Sequence, residues 1–368
     1  LSVGLVIFTV VVVGFTTWLV VPAITVAAAF AFGAVVAPTD TVAVTAIAGR
    51  VHLPRRLVTV LEGESLLNDA TALVALNATI AAIVSVVNPW AIAGDFVIAV
   101  VVGVGMGLLV GWVLSLIRKQ LRSPVLDTSL GLITPYLAFI PSQFLHGSGI
   151  LSVVVAGLYL GFRSPTIQTA EARIAETINW RTIEFLLENA VFLFIGLELS
   201  SILNSAFRSG ITVAETVWIS IAVLLALFLA RFIWMIGTTA LYRYGPQRLR
   251  ERGWTWPTGI AVSFAGIRGV VTLAAVFLLP VETPHREFLQ FLAFVVVVAT
   301  LLEGLALPWV IRRLKLPPPD FAQEAGEMER LLAEAQSAGL EHLEAQVTGD
   351  EDDRVIERLR VNAVFLSD

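Results

Sequence analysis

A run of oxygen-bearing side chains interrupts an apolar stretch near residue 65. It comprises two glutamates, a serine, an asparagine and an aspartate: Glu62, Glu64, Ser65, Asn68 and Asp69. If the stretch is helical, Glu62, Ser65 and Asp69 share one face, and Glu64 lies above Asn68 on a neighbouring face. Hard cations prefer carboxylate, amide and hydroxyl oxygens once their water is removed. The run therefore predicts a binding site for a monovalent cation.

Asp69 is the residue of this run best suited to exchange a cation for a proton. Burial among apolar residues disfavours its charged form, so a proton and a cation would compete for one carboxylate. That competition alone couples their movements in opposite directions. Two plainer interpretations stay open: Asp69 could make a structural hydrogen bond to a neighbouring helix, and Glu62 could simply reach the cytoplasmic rim.

Two further apolar stretches carry a charge beside helix-breaking residues. In the first, Pro38 precedes Thr39 and Asp40, and proline removes a backbone donor and clashes with the preceding turn. In the second, glycines bracket Arg268 in the run 266–269. Interrupted spans in corresponding halves of a sequence point to a transporter's ion site. An arginine there can neutralise the carbonyl ends of two helices or a buried carboxylate. A kink with only a packing role is the alternative.

The depth of these charges favours one common site. Counted along a helix from the basic end of each stretch, Asp40, Asp69 and Arg268 each lie roughly 15–18 Å from the same membrane face. The hydrocarbon core is about 30 Å thick, so all three fall near its midplane. Charges at that depth are expensive, rare and usually functional.

The composition indicates a lipid environment. The 368 residues are 57% hydrophobic and only 14% charged, whereas soluble domains carry about 25% charged residues. We predict an all-α polytopic membrane protein, since its apolar segments lack the alternation of membrane strands. About ten segments match the template for a spanning helix: residues 1–20, 22–48, 57–87, 91–117, 125–143, 148–162, 180–200, 211–242, 257–280 and 286–311.

Several classes of function are excluded. The chain has no cysteine, which rules out disulfide scaffolds and thiolate chemistry. It contains no phosphate-binding loop, zinc motif or nucleophile triad. We therefore expect no cofactor beyond the transported ions, and no nucleic-acid partner.

Basic residues orient the predicted spans. They concentrate in the connections that follow the even-numbered spans, which places those connections in the cytoplasm. Residues 316–368 form an acidic, polar tail that is then cytosolic. Helical patterns occur over 321–346 and 352–366, and a solvated amphipathic helix is favoured there over a regulatory module.

The run 61–69 resembles the signature of the NhaP-type sodium/proton antiporters, in the monovalent cation:proton antiporter family that includes the animal exchangers. Residues 38–40 and 266–269 resemble that family's two crossing-helix motifs, in the expected order. Residues 188–197 resemble its following helix. The similarity extends through almost all of the membrane part, and the run 61–69 is its most specific element.

The resemblance implies an inverted-repeat transporter with two crossing discontinuous helices. The transmembrane domain would cover 1–315, with core repeats at about 1–87 and 211–311, and a linker and partial dimer bundle at about 91–200. The protein would be a homodimer in the lipid of the plasma membrane. Family members usually begin with about three further helices, which this chain, opening inside an apolar segment, is expected to lack.

The resemblance also assigns roles to single residues. An asparagine before the principal aspartate marks electroneutral exchange in this family, so Asn68 implies one cation for one proton and helps to hold the crossing. Arg268 and Glu188 would balance charge or support the structure. The cation and proton would be held by Asp69 with Glu64, Ser65, Asp40 and Thr39.

Three other charges have open assignments. Glu188 and Arg231 could form a buried pair, or either could be a partner of Arg268. Breaking a buried pair costs several kcal/mol whether or not the pair transports anything, so we favour a structural role for it. Glu303 could lie near Arg268 or Asp40, although spacing alone does not establish this.

An Na+/H+ antiporter is the favoured function, and two alternatives stay open. A K+/H+ antiporter is one, because the same oxygens can serve Na+, Li+ or K+. A channel or ion sensor on the same scaffold is another. An intramembrane aspartyl protease needs two ionisable aspartates that share a proton, whereas Asn68 is an amide, so we do not expect an enzyme.

Overall fold

The structure is a computed structural model, and it describes residues 2–40, 55–84, 89–208, 211–250, 254–314 and 321–346. All regular secondary structure in these ranges is helical, which confirms the predicted all-α class. In chain order the helices are α1 Ser2–Val20, α2 Val26–Val36, α3 Arg55–Val84, α4 Pro89–Arg118, α5 Pro124–Phe144, α6 Gly149–Ile167, α7 Ala170–Arg208, α8 Val213–Tyr244, α9 Gln247–Arg250, α10 Trp256–Phe264, α11 Val270–Val276, α12 Arg286–Leu314 and α13 Phe321–Gln346.

Seven helices of the described part are long and apolar enough to cross a membrane: α1, α3, α4, α5, α6, α8 and α12. Each coincides with one of the ten predicted spans. The chain is therefore a multi-pass membrane protein, and its charged groups must be explained in a lipid environment.

The other three predicted spans are not single long apolar helices. The span 22–48 begins with α2, which ends at Val36 just before Pro38, and its residues 41–48 lie outside the described ones. The span 257–280 is divided into α10 and α11 by the segment 265–269. The span 180–200 lies inside the 39-residue α7, which is not among the seven.

Local sequence explains why the divided helices begin and end where they do. The Thr25 side chain accepts a hydrogen bond from the backbone at the start of α2, and Thr255 does the same for α10. Threonine is a favoured residue at this position because its oxygen satisfies an N–H group that lacks a helical partner. At the other end, Pro38 and the glycines at 266 and 269 prevent either helix from continuing.

Two apolar clusters organise the membrane part. The larger one joins α1, α2, α3, α8, α11 and α12, and the smaller one joins α4, α5 and α6. Helices α1 and α2 cross closely at Gly33, where an added β-carbon would lie 2.7 Å from the carbonyl oxygen of Val10. Helix α7 contacts α5 on one side and both α11 and α12 on the other, so it links the two groups.

The acidic tail contributes one described helix. Helix α13 has an amphipathic pattern and belongs to a second compact unit, whereas the preceding helices belong to the first. The helix predicted over 321–346 is therefore present. The helix predicted over 352–366 lies outside the described residues.

Candidate functional site

The two interrupted segments, 37–40 and 265–269, run side by side in the interior of the helix bundle. The backbone N–H of Asp40 donates a hydrogen bond to the carbonyl oxygen of Ile267 over 2.8 Å. Unwound backbone is tolerated at membrane depth only where protein or a water-filled cavity surrounds it. The crossing therefore exposes backbone groups and polar side chains at a point that lipid does not reach.

Arg268 holds this crossing through backbone carbonyls. Its side chain is buried, its Nε donates to the carbonyl oxygen of Val36 over 3.2 Å, and its Nη1 donates to that of Gly266. Val36 ends α2, and Gly266 follows the end of α10. The carbonyl ends of helices carry partial negative charge, so one guanidinium stabilises both ends at once. Its own backbone N–H donates to the Thr300 hydroxyl over 3.0 Å.

Gly266 allows a second arginine to approach the first. An added β-carbon at Gly266 would lie 2.6 Å from Cδ of Arg231 and 3.0 Å from Nη1 of Arg268. The two guanidinium groups consequently lie close together in the interior, where like charges repel strongly. Glu303 lies within electrostatic range of both arginines and reduces that repulsion, which places it near Arg268.

Arg231 pairs with Glu64 and not with Glu188. Its Nη1 lies 2.7 Å from the Glu64 carboxylate, and its Nε and Nη2 donate to the carbonyl oxygen of Val262 at 3.1 and 3.0 Å. Both side chains of the pair are buried. The interpretation of Arg231 and Glu188 as a buried pair is therefore wrong. The two sequence positions of the observed pair are 167 residues apart, and helical spacing carries no information about such a distant partner.

Ser65 and Asn68 attach α3 to the unwound segment after α2. The Ser65 hydroxyl donates to the carbonyl oxygen of Thr39 over 2.7 Å. The Asn68 amide lies 3.2 Å from the Thr39 hydroxyl. When the amide oxygen is the acceptor in that bond, the amide nitrogen donates to the carbonyl oxygens of Ser2 and Glu64, each at 3.2 Å. This orientation satisfies every polar atom of the buried amide.

A cavity of about 500 Å³ lies beside this crossing. Five carboxylates line it, and among the described residues its lining includes no lysine, arginine or histidine. The polar lining residues are Asp40, Asp69, Glu62, Glu184, Glu188, Thr39, Ser65 and Thr272. Such a concentration of negative charge and hydroxyl oxygens attracts cations and can replace part of their hydration shell.

Asp69 faces this cavity from α3 and is half-buried. It lies within electrostatic range of Asp40, which in turn lies within range of Glu188. Adjacent carboxylates repel one another, and a bound cation or a proton relieves that repulsion. The cavity can therefore bind either species at the same carboxylates.

The structure brings together only part of the predicted set. Asp69, Ser65, Asp40 and Thr39 line the cavity, whereas Glu64 is directed to Arg231. The crossing is held by hydrogen bonds of Arg268, Asn68 and Thr300, which are not among the cavity-lining residues. Glu188 and Glu62 contribute to the lining, and Glu62 is exposed.

Sequence reasoning missed the wall that α7 provides. Trp180, Ile183, Leu187 and Val191 line the cavity at intervals of three and four residues along that helix. This spacing is a helical stripe that the sequence displays. Nothing in the sequence, however, indicates that the stripe faces Asp69 and not a neighbouring apolar helix.

Gly269 is required where Asp40 packs against the backbone. An added β-carbon would overlap the Asp40 carboxylate, while its φ of −140° is one that any residue adopts. We expect Gly269→Ala to cost about 1–3 kcal/mol of stability through overpacking. The matched control is Gly237→Ala in α8, where nothing lies within 4 Å of an added β-carbon. Thermal unfolding of both variants checks this, and equal melting temperatures would contradict it.

The chain is similar to several known proteins. Residues 1–313 match a family model described as "Sodium/hydrogen exchanger, transmembrane". An uncharacterized Na(+)/H(+) exchanger of Mycobacterium tuberculosis H37Rv is 33% identical over 327 residues, which cover 86% of this chain and 60% of the relative. A sodium, potassium, lithium and rubidium/H(+) antiporter of Bacillus subtilis is 30% identical over 321 residues, which cover 82% of this chain and 47% of the relative. The chain thus spans 60% or less of the length of these relatives.

A solved structure shares the fold. The sodium proton antiporter MjNhaP1 of Methanocaldococcus jannaschii superposes with a TM-score of 0.65 and 18% sequence identity. The match covers 85% of this chain and 78% of that one. The predicted resemblance in fold is therefore confirmed by a comparison of coordinates.

Proposed function

The chain belongs to the sodium/hydrogen exchanger family, and on that premise we propose that it exchanges a monovalent cation for a proton across the membrane. The observation that carries the proposal is the cavity beside the helix crossing, which is lined by carboxylates and, within the part of the chain that the structure describes, by no basic residue. Membership in a transporter family also argues against an intramembrane protease. Exchange requires only that both ions use one site and that the site faces one side at a time.

Competition at Asp69 is the proposed coupling mechanism. A cation bound at Asp69, with oxygens from Asp40, Thr39 and Ser65, stabilises the charged carboxylates, and a proton replaces it when the cation leaves. Because Asn68 is an amide, it takes up no proton of its own. We infer an exchange of one cation for one proton, which moves no net charge.

Glu64, Arg268 and Glu188 have supporting roles in this proposal. Glu64 neutralises Arg231, and Arg268 stabilises the carbonyl ends at the crossing. Glu188 adds negative charge to the cavity from α7, which raises the local cation concentration.

We also propose the orientation and cellular setting. The distribution of basic residues favours cytoplasmic ends for the even-numbered spans and for the acidic tail. The exposed Glu62 and Glu184 then lie on the cytoplasmic side of the cavity. On this reading the structure is open to the cytoplasm, and the protein functions as a homodimer in the lipid of the plasma membrane.

Sodium is the proposed cation, and potassium is the second candidate. The Bacillus subtilis relative is named for sodium, potassium, lithium and rubidium, so hydroxyl and carboxylate oxygens in this family need not select one ion. The cavity of about 500 Å³ imposes no narrow size limit by itself. Li+ would then bind at the same oxygens.

The test is cation-driven proton movement in liposomes. The purified protein is reconstituted with an internal pH dye, and Na+, K+ or Li+ is added outside while a second dye reports membrane potential. We expect the internal pH to rise on addition of Na+, without a change in potential and independently of an uncoupler. A potential that follows the cation gradient would indicate a channel, and no pH response to any of the three cations would refute the proposal.

A further inference from the structure

A separate pocket lies between the C-terminal ends of α4 and α6, and it is distinct from the cavity at Asp69. Its volume is about 240 Å³. Two basic residues, two hydroxyls and two aromatic rings line it: Lys119, Arg163, Ser115, Thr166, Trp112 and Tyr159. None of these residues lines the ion cavity.

The pocket forms where a close helix contact ends. Helices α4 and α6 run parallel along Gly103, Gly107 and Gly111. An added β-carbon would lie 2.8 Å from Ser148, just before α6, at the first position, and 2.5 and 3.1 Å from atoms of α6 at the other two. Small residues at intervals of four let two helix backbones approach closely in a membrane. The next positions on that face are Ser115 and Lys119, whose side chains line the pocket.

The two cations of the pocket are available to a ligand. Lys119 and Arg163 are exposed, and among the described residues neither forms an ion pair with a carboxylate. The Arg163 guanidinium lies 5.8 Å from the centre of the Tyr159 ring. This cation–π contact holds the guanidinium beside the ring. Arg118, beside Lys119 in sequence, differs because it is buried and pairs with Glu176 at 2.8 Å.

Apolar surface continues directly from these cations. Trp112 is 55% exposed and Leu116 is 47% exposed, and Leu108 and Leu109 continue the exposed surface along α4. Both basic residues follow long apolar segments, at the depth where lipid headgroups begin. Two cations beside an exposed apolar surface match an amphiphile with an anionic head and hydrocarbon chains.

We propose that this pocket binds the phosphate-bearing headgroup of an anionic phospholipid, whose acyl chains lie along the exposed face of α4. The phosphate contacts Lys119 and Arg163, since charge-assisted bonds to phosphate are the strongest contacts the pocket offers. Free phosphate shares the headgroup chemistry but gains nothing from the exposed apolar surface. The membrane orientation proposed from the distribution of basic residues would put the pocket in the cytoplasmic leaflet, where anionic lipids attract basic residues.

The test is lipid binding to the purified full chain in a neutral detergent, followed by native mass spectrometry. Dioleoyl phosphatidylglycerol and dioleoyl phosphatidylcholine are titrated separately. We expect the double variant Lys119→Gln/Arg163→Gln to weaken phosphatidylglycerol binding about tenfold. The charge-conserving variant Lys119→Arg/Arg163→Lys should retain it. The control is Arg122→Gln/Arg173→Gln, which removes two exposed charges outside the pocket lining.

Three results would overturn the proposal. Equal binding of the two lipids to the wild-type protein would mean that the headgroup charge is not recognised. Equal losses in the pocket variant and the control would mean that the basic residues act only through overall charge at the helix ends. Binding of inorganic phosphate to lipid-free protein, with the same dependence on Lys119 and Arg163 and with displacement of the lipid, would identify a free-anion site instead.

Discussion

Asp69→Asn should reduce cation-driven proton movement to the background of protein-free liposomes. The substitution preserves the size of the side chain and one oxygen but removes the only group at that position that can hold either a proton or a cation charge. It should also abolish the stabilisation of the protein by sodium, which for the wild type amounts to about 2.7 kcal/mol at 100 times the Kd. Melting temperatures with and without Na+ check the second expectation independently of transport.

The sodium effect on the wild type has a defined pH dependence. Because the proton and the cation compete, stabilisation by a fixed Na+ concentration should fall as the pH falls. Glu287→Gln, an exposed carboxylate at the start of α12, is the matched control and should change neither readout. Sodium stabilisation that survives in Asp69→Asn would show that Asp69 does not hold the cation.

Arg231→Met should destabilise the protein by about 3–5 kcal/mol, because it leaves the Glu64 carboxylate buried without its partner. The double variant Glu64→Leu/Arg231→Met should recover most of this loss. Recovery is incomplete because the Val262 carbonyl oxygen also loses the Arg231 donors. Thermal unfolding of the wild type, both single variants and the double variant gives the coupling energy.

The same variants decide what Glu64 does. If it only neutralises Arg231, the double variant should bind sodium as the wild type does. If Glu64 is also a cation ligand, as the resemblance implies, stability should recover in the double variant while sodium affinity stays low. Equal instability in the single and double variants would contradict a buried pair that is worth several kcal/mol.

The positions of the two helix breaks can be predicted from the sequence, for physical reasons that can be named. Pro38 and the glycines around Arg268 cannot continue a helix, so the two breaks are readable from residue type alone. The common depth of Asp40, Asp69 and Arg268 follows from the rise of a helix and the thickness of a bilayer. The structure places the broken segments side by side, with Asp69 facing the adjoining cavity.

Partners on distant helices could not be predicted. Helical periodicity shows which residues share a face but not which helix that face meets, so Arg231 could not be assigned to Glu64 in place of Glu188. The same limit hid Thr300, which accepts from the backbone of Arg268, and the α7 wall at Trp180. These contacts depend on how the helices are arranged in space, which a single sequence does not contain.

Both arginines of the core are committed to other groups. Arg231 is bound to Glu64, and Arg268 to the carbonyl oxygens of Val36 and Gly266; among the described residues no basic side chain forms an ion pair with Asp69. In the proposed exchanger, an empty Asp69 would therefore have to change the side that it faces as an uncompensated charge, which is strongly unfavourable. The site is then expected to change sides only with a cation or a proton bound. The hydrogen bonds and the ion pair that occupy both arginines thus suppress an ion leak.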